Sequence, residues 1–401
     1  MSFKLSDRVS NLKPSASIAA KKRVTELQAA GRQIIDFTIG EPDLDTPDFI
    51  IDAAIKAMRE GDTHYTATQG TPALRDAICN KLKRENGIDV QPENIVVGCG
   101  AKQLIFEAFA ATLDEGDEVI VPAPYWVSYP DIVKVNGGTP VIVECGADVD
   151  FKLKPHALSA ALTPNMRWLI LNSPNNPTGA VYSAKELAAL LDVLRLHPQV
   201  CLIMDDIYEH LVYDGASHAS PLQIDPAFAE RSLLINGVSK AYAMTGWRVG
   251  YAAGPKPLVA AIGKLLGQNT TCASSISQAG ATAALEGDQA PVREMTALYE
   301  QRRNRMIELL EDVPGFDVSV PSGAFYLFPS VAELIGRRTP QGQVLHTDLD
   351  VAAYLLEAAN VAVMDGSSYG LSPYLRLSFA TSTDRIEEGC RRIRKATEAL
   401  A

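Results

Sequence analysis

Lys240 has the surroundings in this sequence that most favour covalent chemistry. It lies in the segment SKAYAM at 239–244, among small and uncharged residues, and follows the strand-like apolar run at 232–235. An amine held in such surroundings loses hydration, which lowers its pKa and makes it a nucleophile. The alternative is a solvated surface lysine, as most lysines are. The position after a buried strand favours the nucleophile.

A carboxylate, Asp205, directly follows the apolar run at 202–204. Burying a carboxylate at a strand end costs free energy unless a cation is its partner. The protonated ring nitrogen of pyridoxal phosphate is such a cation, and an acid beside it keeps the ring an electron sink. The alternative role, a helix N-cap, fits Asp206 better than Asp205.

Two segments are suited to holding a phosphate group. The turn GCGAK at 98–102 precedes a helix, and its backbone N–H groups can cradle a phosphate. It is not a dinucleotide fingerprint, because Gln103 stands where a third glycine is needed, and a simple tight turn is the alternative. Arg248, between Gly246 and Gly250, is placed to contact the same phosphate with its forked guanidinium.

The loop NSPNNPTG at 172–179 is dense in turn-forming residues. A plain surface loop is one interpretation. Pro174 and Pro177, however, restrict the backbone and hold Asn175 rigidly. That rigidity suits an amide that must point at a ligand oxygen, so we predict that Asn175 binds a ligand.

Short apolar runs alternate with helix-sized segments through the middle of the chain. Helical signals include the segment 102–113 and a capping box formed by Ser183 and Glu186. Because the runs are unbroken, they indicate an α/β fold whose mostly parallel sheet is buried on both faces. Ligands of such sheets bind beyond the carboxyl ends of the strands, where the residues above are found. The predicted strands are 94–97, 118–121, 140–143, 168–171, 200–204 and 232–235.

The pattern changes after about residue 290, which indicates a second, α+β unit. A chain of 401 residues also exceeds the usual size of one hydrophobic core. We therefore predict a large domain, 45–290, and a small domain formed by 1–44 and 291–401. The elements expected in the second unit are helices at 299–310 and 351–359, strands at 316–320, 324–328 and 374–379, and a final helix.

Composition excludes several classes of protein. The formal net charge is -11, and the basic run at 391–395 is expected to be a solvated helix face, so no nucleic-acid partner is expected. The six cysteines are scattered, which argues against a disulfide framework or a metal site. The sequence has neither a signal peptide nor an apolar stretch of membrane-spanning length, so we expect no membrane partner and a cytoplasmic location.

Several motifs, in order and at family spacing, resemble the class I aminotransferases of fold type I. They are NSPNNPTG at 172–179 and SKAYAMTGWRVG at 239–250, with GEPD at 40–43 and RLSFATS at 376–382. The similarity spans essentially the whole chain and is closest to bacterial aspartate aminotransferases. It implies a mostly parallel, seven-stranded-type sheet in a large domain that binds pyridoxal phosphate (PLP), with a smaller α+β domain that closes over the substrate.

The resemblance also implies roles for the residues around the cofactor ring. Lys240 would hold PLP as a Schiff base and then carry a proton at the substrate Cα. Asp205 would pair with the ring nitrogen, while Tyr208 and Asn175 would reach the ring hydroxyl oxygen. Trp126 would stack on the ring face. The predicted catalytic residues are Lys240, Asp205 and Tyr208.

Further residues are expected around the phosphate and at a subunit interface. The turn formed by Gly100, Ala101 and Lys102 would hold the phosphate together with Arg248. Tyr65 matches a tyrosine that reaches the phosphate of the neighbouring subunit. The resemblance therefore implies a homodimer with shared active sites.

The α-carboxylate of the substrate would be clamped by Arg376, helped by Asn175 and the backbone at Gly40. Lys102 is expected to meet the distal carboxylate of an acidic substrate; the alternative is an ordinary lysine at a helix N-terminus. The other residues expected around the substrate side chain are Ser15, Ser17 and Trp126.

The sequence departs from common family patterns at three positions. Gly237 stands where many members have a phosphate-binding serine, so that contact would be lost or moved. Asp365 and Tyr369 stand where proline and phenylalanine are usual. We interpret the latter pair as a loop variation near the substrate entrance, which leaves side-chain specificity open.

The expected reaction is a ping-pong transamination between L-aspartate and 2-oxoglutarate. Aromatic amino acids or prephenate are alternative substrates. A C–S lyase or an aminocyclopropane-carboxylate synthase on the same fold is a second hypothesis. A transcription regulator with an aminotransferase-like domain is a third, but it needs a DNA-binding segment before the fold, and the similarity begins within the first fifteen residues.

Overall fold

The computed structural model describes residues 3–10, 12 and 16–401. Its α-helices are α1 Asp7–Ser10, α2 Ala16–Ala29, α3 Asp48–Arg59, α4 Pro72–Asn86, α5 Ala101–Thr112, α6 Tyr129–Val135, α7 Pro155–Ala161, α8 Ala184–Arg195, α9 Pro221–Ile224, α10 Lys256–Gln268, α11 Ser275–Glu286, α12 Ala290–Leu310, α13 Asp348–Tyr354 and α14 Thr383–Glu398. Its strands are β1 Ile35–Asp36, β2 Ile95–Gly98, β3 Glu118–Ala123, β4 Thr139–Glu144, β5 Met166–Asn172, β6 Cys201–Asp205, β7 Ser232–Gly237, β8 Gly250–Ala253, β9 Tyr326–Leu327, β10 Val361–Ala362, β11 Met364–Asp365 and β12 Leu375–Ser378.

Seven of the strands in the described part of the chain form one sheet, in the order β2-β8-β7-β6-β5-β3-β4. β8 runs antiparallel to both of its neighbours, and the other pairs are parallel. The predicted α/β fold with a mostly parallel sheet is therefore confirmed. β8 was not predicted, because it opens at Gly250, in a segment that the glycines marked as a turn.

The apolar strands are unbroken because both faces of the sheet are covered. Successive side chains of a strand point to opposite faces. Leu169 and Leu171 of β5 lie in one hydrophobic core, whereas Trp168 and Ile170 lie in another. Every position between them is thus buried, which explains why no polar residue interrupts the run.

Residues after about 290 form a separate core that also takes in Phe37. The antiparallel sheet β11-β12-β9 lies there, and β1 pairs with β10. The N-terminal strand thus packs with the C-terminal part, as expected. The same core includes Tyr208, Leu211 and Tyr213 from the segment after β6. The domain boundaries at 45 and 290 stay a prediction.

For this C-terminal part, most of the predicted elements have the expected type, but their boundaries differ from the predicted ones. The expected strand at 374–379 is β12, and α12 begins nine residues before its predicted start at Tyr299. The expected strand at 316–320 is wrong: the segment makes a single bridge, from Asp317 to Ser330. Phe316 and Val318 of its alternating pattern pack in the C-terminal core, but Val320 is 61% exposed and the segment does not extend as a strand. No helix in the described residues has the length and apolar character that a membrane span requires.

Candidate active site

The carboxyl ends of the central strands open into a cavity of about 370 Å³, which we call the site cavity. It lies between the sheet, the loop that precedes α3 and strand β12 of the C-terminal part. Most of the residues that the sequence singled out line it. Its lining consists of Thr38, Gly40, Glu41, Ala101, Lys102, Trp126, Tyr129, Asn172, Asn176, Asp205, Ile207, Tyr208, Ser239, Lys240, Thr245, Arg248, Tyr326 and Arg376.

Lys240 lies three residues beyond β7, and its amine points into the site cavity. Nζ donates a hydrogen bond to the carbonyl oxygen of Gly40, at 2.6 Å. Loss of hydration lowers the pKa of Lys240 to about 8; Glu41 opposes this shift, and the Arg376 and Arg248 charges add to it. A large share of the amine is therefore neutral at mildly alkaline pH, as a nucleophile or base requires.

Asp205 ends β6 and is buried, with its carboxylate facing the site cavity. Burial raises its pKa to about 6, against a hydrogen bond from Tyr129 that lowers it. The Tyr129 hydroxyl donates to Oδ2 at 2.5 Å, and the Ile207 N–H donates to Oδ1 at 3.4 Å. A cation in the cavity would relieve the cost of this buried charge.

The N-terminus of α5 and Arg248 form a cradle of the size and charge that a phosphate needs. Gly100, the N-cap of α5, has φ +91°, and no side chain of the described residues caps that helix. The Arg248 guanidinium donates to the carbonyls of Cys99, at 3.1 Å, and Thr245, at 2.9 Å. A Cβ on Gly250 would lie 2.4 Å from the Ala101 nitrogen. Uncapped N–H groups beside a fixed guanidinium fit a phosphate dianion.

The absence of a side chain at Gly237 has a structural reason. A Cβ there would lie 3.0 Å from both the Gly250 Cα and the Val249 carbonyl oxygen. These are backbone atoms at the start of the antiparallel strand β8, so they can move only if the strand itself shifts. The serine that the resemblance led us to expect at this position would not fit without a shift of the strands.

Asn172 and Asn176 line the site cavity and Asn175 is not among its lining residues, so the ligand-binding role of Asn175 stays a prediction. Asn175 Oδ1 accepts hydrogen bonds from the backbone N–H and hydroxyl of Thr178, at 3.2 and 2.9 Å, and its Nδ2 points to Pro124. Asn176 Oδ1 instead accepts from Arg376, at 3.2 Å. The two side chains leave the tight loop in different directions, which spacing alone did not reveal.

Arg376 lies on β12 and is buried, with its guanidinium at the site cavity. Besides the Asn176 contact, it donates to the carbonyl oxygen of Thr38, at 2.7 Å. Its charged carbon lies 4.4 Å from the Tyr326 ring centroid and 5.2 Å from that of Tyr369. Nε has no hydrogen-bond partner among the described residues. A buried N–H of this kind fits a carboxylate ligand.

Two tyrosines of the site were missed from the sequence. The Tyr208 and Tyr326 hydroxyls are 3.0 Å apart, and Tyr326 was interpreted only as part of an apolar strand. Tyr129 follows Trp126 by three residues, and their rings meet edge to face at 5.4 Å. That one-turn spacing was the available signal for Tyr129, because it points both side chains the same way.

Lys102 and Tyr65 occupy different surroundings. Lys102 lines the site cavity, with Nζ 4.6 Å from the Trp126 ring centroid, and burial followed by the Arg248 charge lowers its pKa. Tyr65 is 87% exposed and does not line the cavity of its own chain. Ser15 and the side chain of Ser17 lie outside the described residues.

The loop variation at Asp365 and Tyr369 affects two different places. Asp365 accepts hydrogen bonds from the backbone N–H and hydroxyl of Ser368, both at 2.8 Å. It lines a groove of about 580 Å³ that adjoins the site cavity through Lys102. Tyr369 is buried beside Arg376. Asp365 thus stabilises a turn beside this groove.

Comparison with known proteins identifies the family. Residues 32–393 match the family model for aminotransferase class I and II. A probable aspartate/prephenate aminotransferase of Rhizobium leguminosarum bv. phaseoli is 49% identical over 391 residues, which is 98% of either chain.

Solved structures agree with this match. The aspartate aminotransferase from Rhizobium meliloti superposes with a TM-score of 0.98 at 46% identity, over 100% of both chains. The aspartate aminotransferase from Thermus thermophilus with maleate gives a TM-score of 0.92 at 39% identity, over 98% of this chain and 100% of the other. By the extent and identity of these matches, the chain belongs to the class I and II aminotransferases.

Proposed function

We propose that this protein is a PLP-dependent aminotransferase that converts L-aspartate and 2-oxoglutarate into oxaloacetate and L-glutamate. The observation that carries the proposal is the meeting of Lys240, Asp205, Arg248 and Arg376 in one cavity of about 370 Å³. The Lys240 amine, whose pKa is lowered, matches the aldehyde of PLP, and the buried Asp205 carboxylate matches the ring nitrogen. The guanidinium of Arg248 matches the phosphate, and that of Arg376 matches the carboxylate of the substrate. The names of the relatives supply the choice of aspartate.

The residues that would hold PLP are divided between its two ends. Lys240 would hold it covalently and Asp205 at the ring nitrogen, while Arg248 and the N-terminus of α5 would hold the phosphate. When bound, PLP supplies an electron sink for the pair of electrons released at the substrate Cα. The remaining contacts proposed for the ring come from Trp126, Tyr208 and Asn176.

Lys240 is proposed to move a proton at the substrate Cα. Its amine is partly neutral near neutral pH, since its pKa is lowered to about 8, so it can accept the proton and then return it. Asp205 would supply the negative charge that pairs with the ring nitrogen. Arg376 and Asn176 would orient the α-carboxylate, because both residues line the cavity and the Arg376 Nε has no hydrogen-bond partner among the described residues.

The distal carboxylate of aspartate is proposed to contact Lys102, whose amine lies at the cavity wall. The contribution of Ser15 and Ser17 stays a prediction. So does the cytoplasmic location.

We further propose a homodimer whose sites are completed by Tyr65 of the partner. The 87% exposure of Tyr65, a large aromatic residue, supports a contact with another molecule.

The two predicted domains, 45–290 and 1–44 with 291–401, would close on the substrate and exclude water from it.

An assay of the purified protein with PLP, L-aspartate and 2-oxoglutarate tests the proposal. Oxaloacetate and L-glutamate should form in equal amounts, and Lys240→Ala should lower the rate by about 10⁴-fold. A lyase would instead release ammonia or pyruvate and would not need 2-oxoglutarate as an acceptor. Absence of glutamate, or full activity of Lys240→Ala, would refute the transaminase.

Prephenate is a second candidate acceptor. Two relatives, at 49% and 48% identity, are named as aspartate/prephenate aminotransferases or probable ones. The cavity wall also places the Lys102 cation against the Trp126 ring, a surface suited to a carboxylate on a cyclic substrate. The test measures kcat/KM for prephenate and for oxaloacetate, with glutamate as the amino donor in both assays. A value for prephenate that does not exceed the background of the assay excludes it.

A further inference from the structure

Tyr129 makes the closest side-chain contact with the Asp205 carboxylate, and no role proposed above uses it. Its hydroxyl oxygen lies 2.5 Å from Oδ2. Because an ionised carboxylate only accepts hydrogen bonds, the phenol is the donor. The opposite oxygen accepts a longer bond, at 3.4 Å, from the Ile207 N–H. The phenol thus makes the short, charge-assisted bond of the pair.

We propose that Tyr129 is a positioning residue that acts through Asp205: it holds the carboxylate in one orientation and keeps it ionised for a protonated ring nitrogen. The inference rests on the proposed binding of PLP. It adds to the site a residue that the sequence analysis above did not single out.

The local structure fixes the phenol with little freedom. Tyr129 is the first residue of α6 and is 2% exposed. Its N–H donates to the carbonyl oxygen of Trp126, at 3.0 Å, and the two rings pack edge to face. One turn of chain therefore carries both the Trp126 ring, which would stack on the cofactor, and the Tyr129 hydroxyl, which contacts the Asp205 carboxylate.

The charges around Asp205 show why a donor is needed. Burial raises the pKa of this carboxyl, and the neighbouring Asp206 raises it further. Tyr129 is the main opposing group, followed by the Ile207 N–H and the Lys240 charge. The buried Tyr208 phenol is a further titratable neighbour. Without Tyr129, a larger share of the carboxyl would be protonated at neutral pH and unable to attract a pyridinium.

The test compares Tyr129→Phe with Tyr354→Phe, which also removes a buried hydroxyl that donates a hydrogen bond, to Ala396, but lies away from the site cavity. Two quantities are measured: the dissociation constant of PLP, and the pH midpoint of the infrared band of the protonated Asp205 carboxyl, identified by its loss in Asp205→Asn. Tyr129→Phe should weaken PLP binding by about 10- to 100-fold, the size of one hydrogen bond to a charge, and raise the midpoint. Tyr354→Phe should change neither.

A double-mutant cycle separates this role from packing. In the Asp205→Asn background, Tyr129→Phe should cause little further loss of PLP affinity, because its effect passes through the carboxylate. An equal loss in both backgrounds would show that Tyr129 only fills space, and would overturn the inference. Parent-like affinity and midpoint in Tyr129→Phe would overturn it as well.

Two further outcomes keep the inference and the proposed function distinguishable. If the parent protein binds no PLP, the proposed function fails, while the midpoint in the free protein still tests the coupling of Tyr129 to Asp205. If Tyr129→Phe does not fold, 3-fluorotyrosine at position 129 replaces it, since this residue keeps the shape and donates more strongly. It should lower the midpoint, and an unchanged midpoint would contradict the coupling.

Discussion

Gly100 and Arg248 approach each other so closely that a Cβ on Gly100 would lie 2.6 Å from the Arg248 Nη2. The glycine backbone, at φ +91°, is what allows the guanidinium to lie across the N-terminus of α5. The proposed phosphate cradle therefore depends on a missing side chain as much as on a charge.

Gly100→Ala should weaken PLP binding by displacing the guanidinium. The matched control is Gly61→Ala, which has a similar φ of +87° but no atom within 4 Å of the added Cβ. Both variants should lose about 1–2 kcal/mol of unfolding free energy from backbone strain. PLP titration should show an affinity change for Gly100→Ala only. An equal change in the two variants would argue against the cradle.

The reaction of the apoprotein with PLP should depend on pH through Lys240. The neutral amine is the reactive form, and it accumulates as pH rises through a pKa lowered to about 8. The rate of chromophore formation is expected to increase with pH and to level off above about pH 8. Free lysine, with an ε-amine pKa near ~10.4, is the reference. A protein rate that keeps rising in parallel with that of free lysine would contradict the lowered pKa.

Asn176→Ala and Asn175→Ala should have opposite consequences. Asn176 contacts Arg376, so its loss should lower kcat/KM for aspartate by about 10- to 100-fold, the value of a hydrogen bond to a charged group. Asn175 bonds only to its own loop and to Pro124 among the described residues, so its loss should chiefly lower stability, by about 1 kcal/mol. Steady-state kinetics and urea unfolding of both variants decide. The reverse pattern would support the assignment made from the sequence.

Glu209→Gln should strongly destabilise the protein, because it removes the closer of the two carboxylates that pair with the fully buried Lys81 and leaves only Glu85, at 3.5 Å, among the described residues. Glu209 also accepts hydrogen bonds from Asn86 and Asn236, both at 2.7 Å. Breaking a buried pair of this kind costs about 3–5 kcal/mol of unfolding free energy. The exposed pair of Lys83 is the control: removing it should cost at most about 1 kcal/mol.

The same pair predicts how stability depends on pH. Burial alone would raise the pKa of Glu209, but the Lys81 charge holds it well below its usual range. A depressed carboxyl pKa contributes stability that is present above the unfolded-state value, about 4.3, and is lost as pH falls. The difference in unfolding free energy between the parent protein and Glu209→Gln should therefore become smaller as the pH falls below about 4.3. A gap that stays constant down to about pH 3 would contradict the ion pair.

The sequence alone predicted the sheet, and it singled out most of its candidate residues among those that line the site cavity. Unbroken apolar runs require a sheet covered on both faces, and polar residues directly after such runs must meet at one edge of it. Lys240, Asp205 and Arg248 were identified in this way, because each lies next to a strand or glycine turn whose geometry leaves few choices.

The tertiary structure decided which neighbours those residues have. Whether Asn175 or Asn176 faces the cavity depends on the exact path of one loop, and adjacent positions look alike in sequence. The contacts of Tyr129 with Asp205 and of Tyr326 with Tyr208 join segments 76 and 118 residues apart. Such pairs form only when packing brings distant elements together, and no local pattern encodes them.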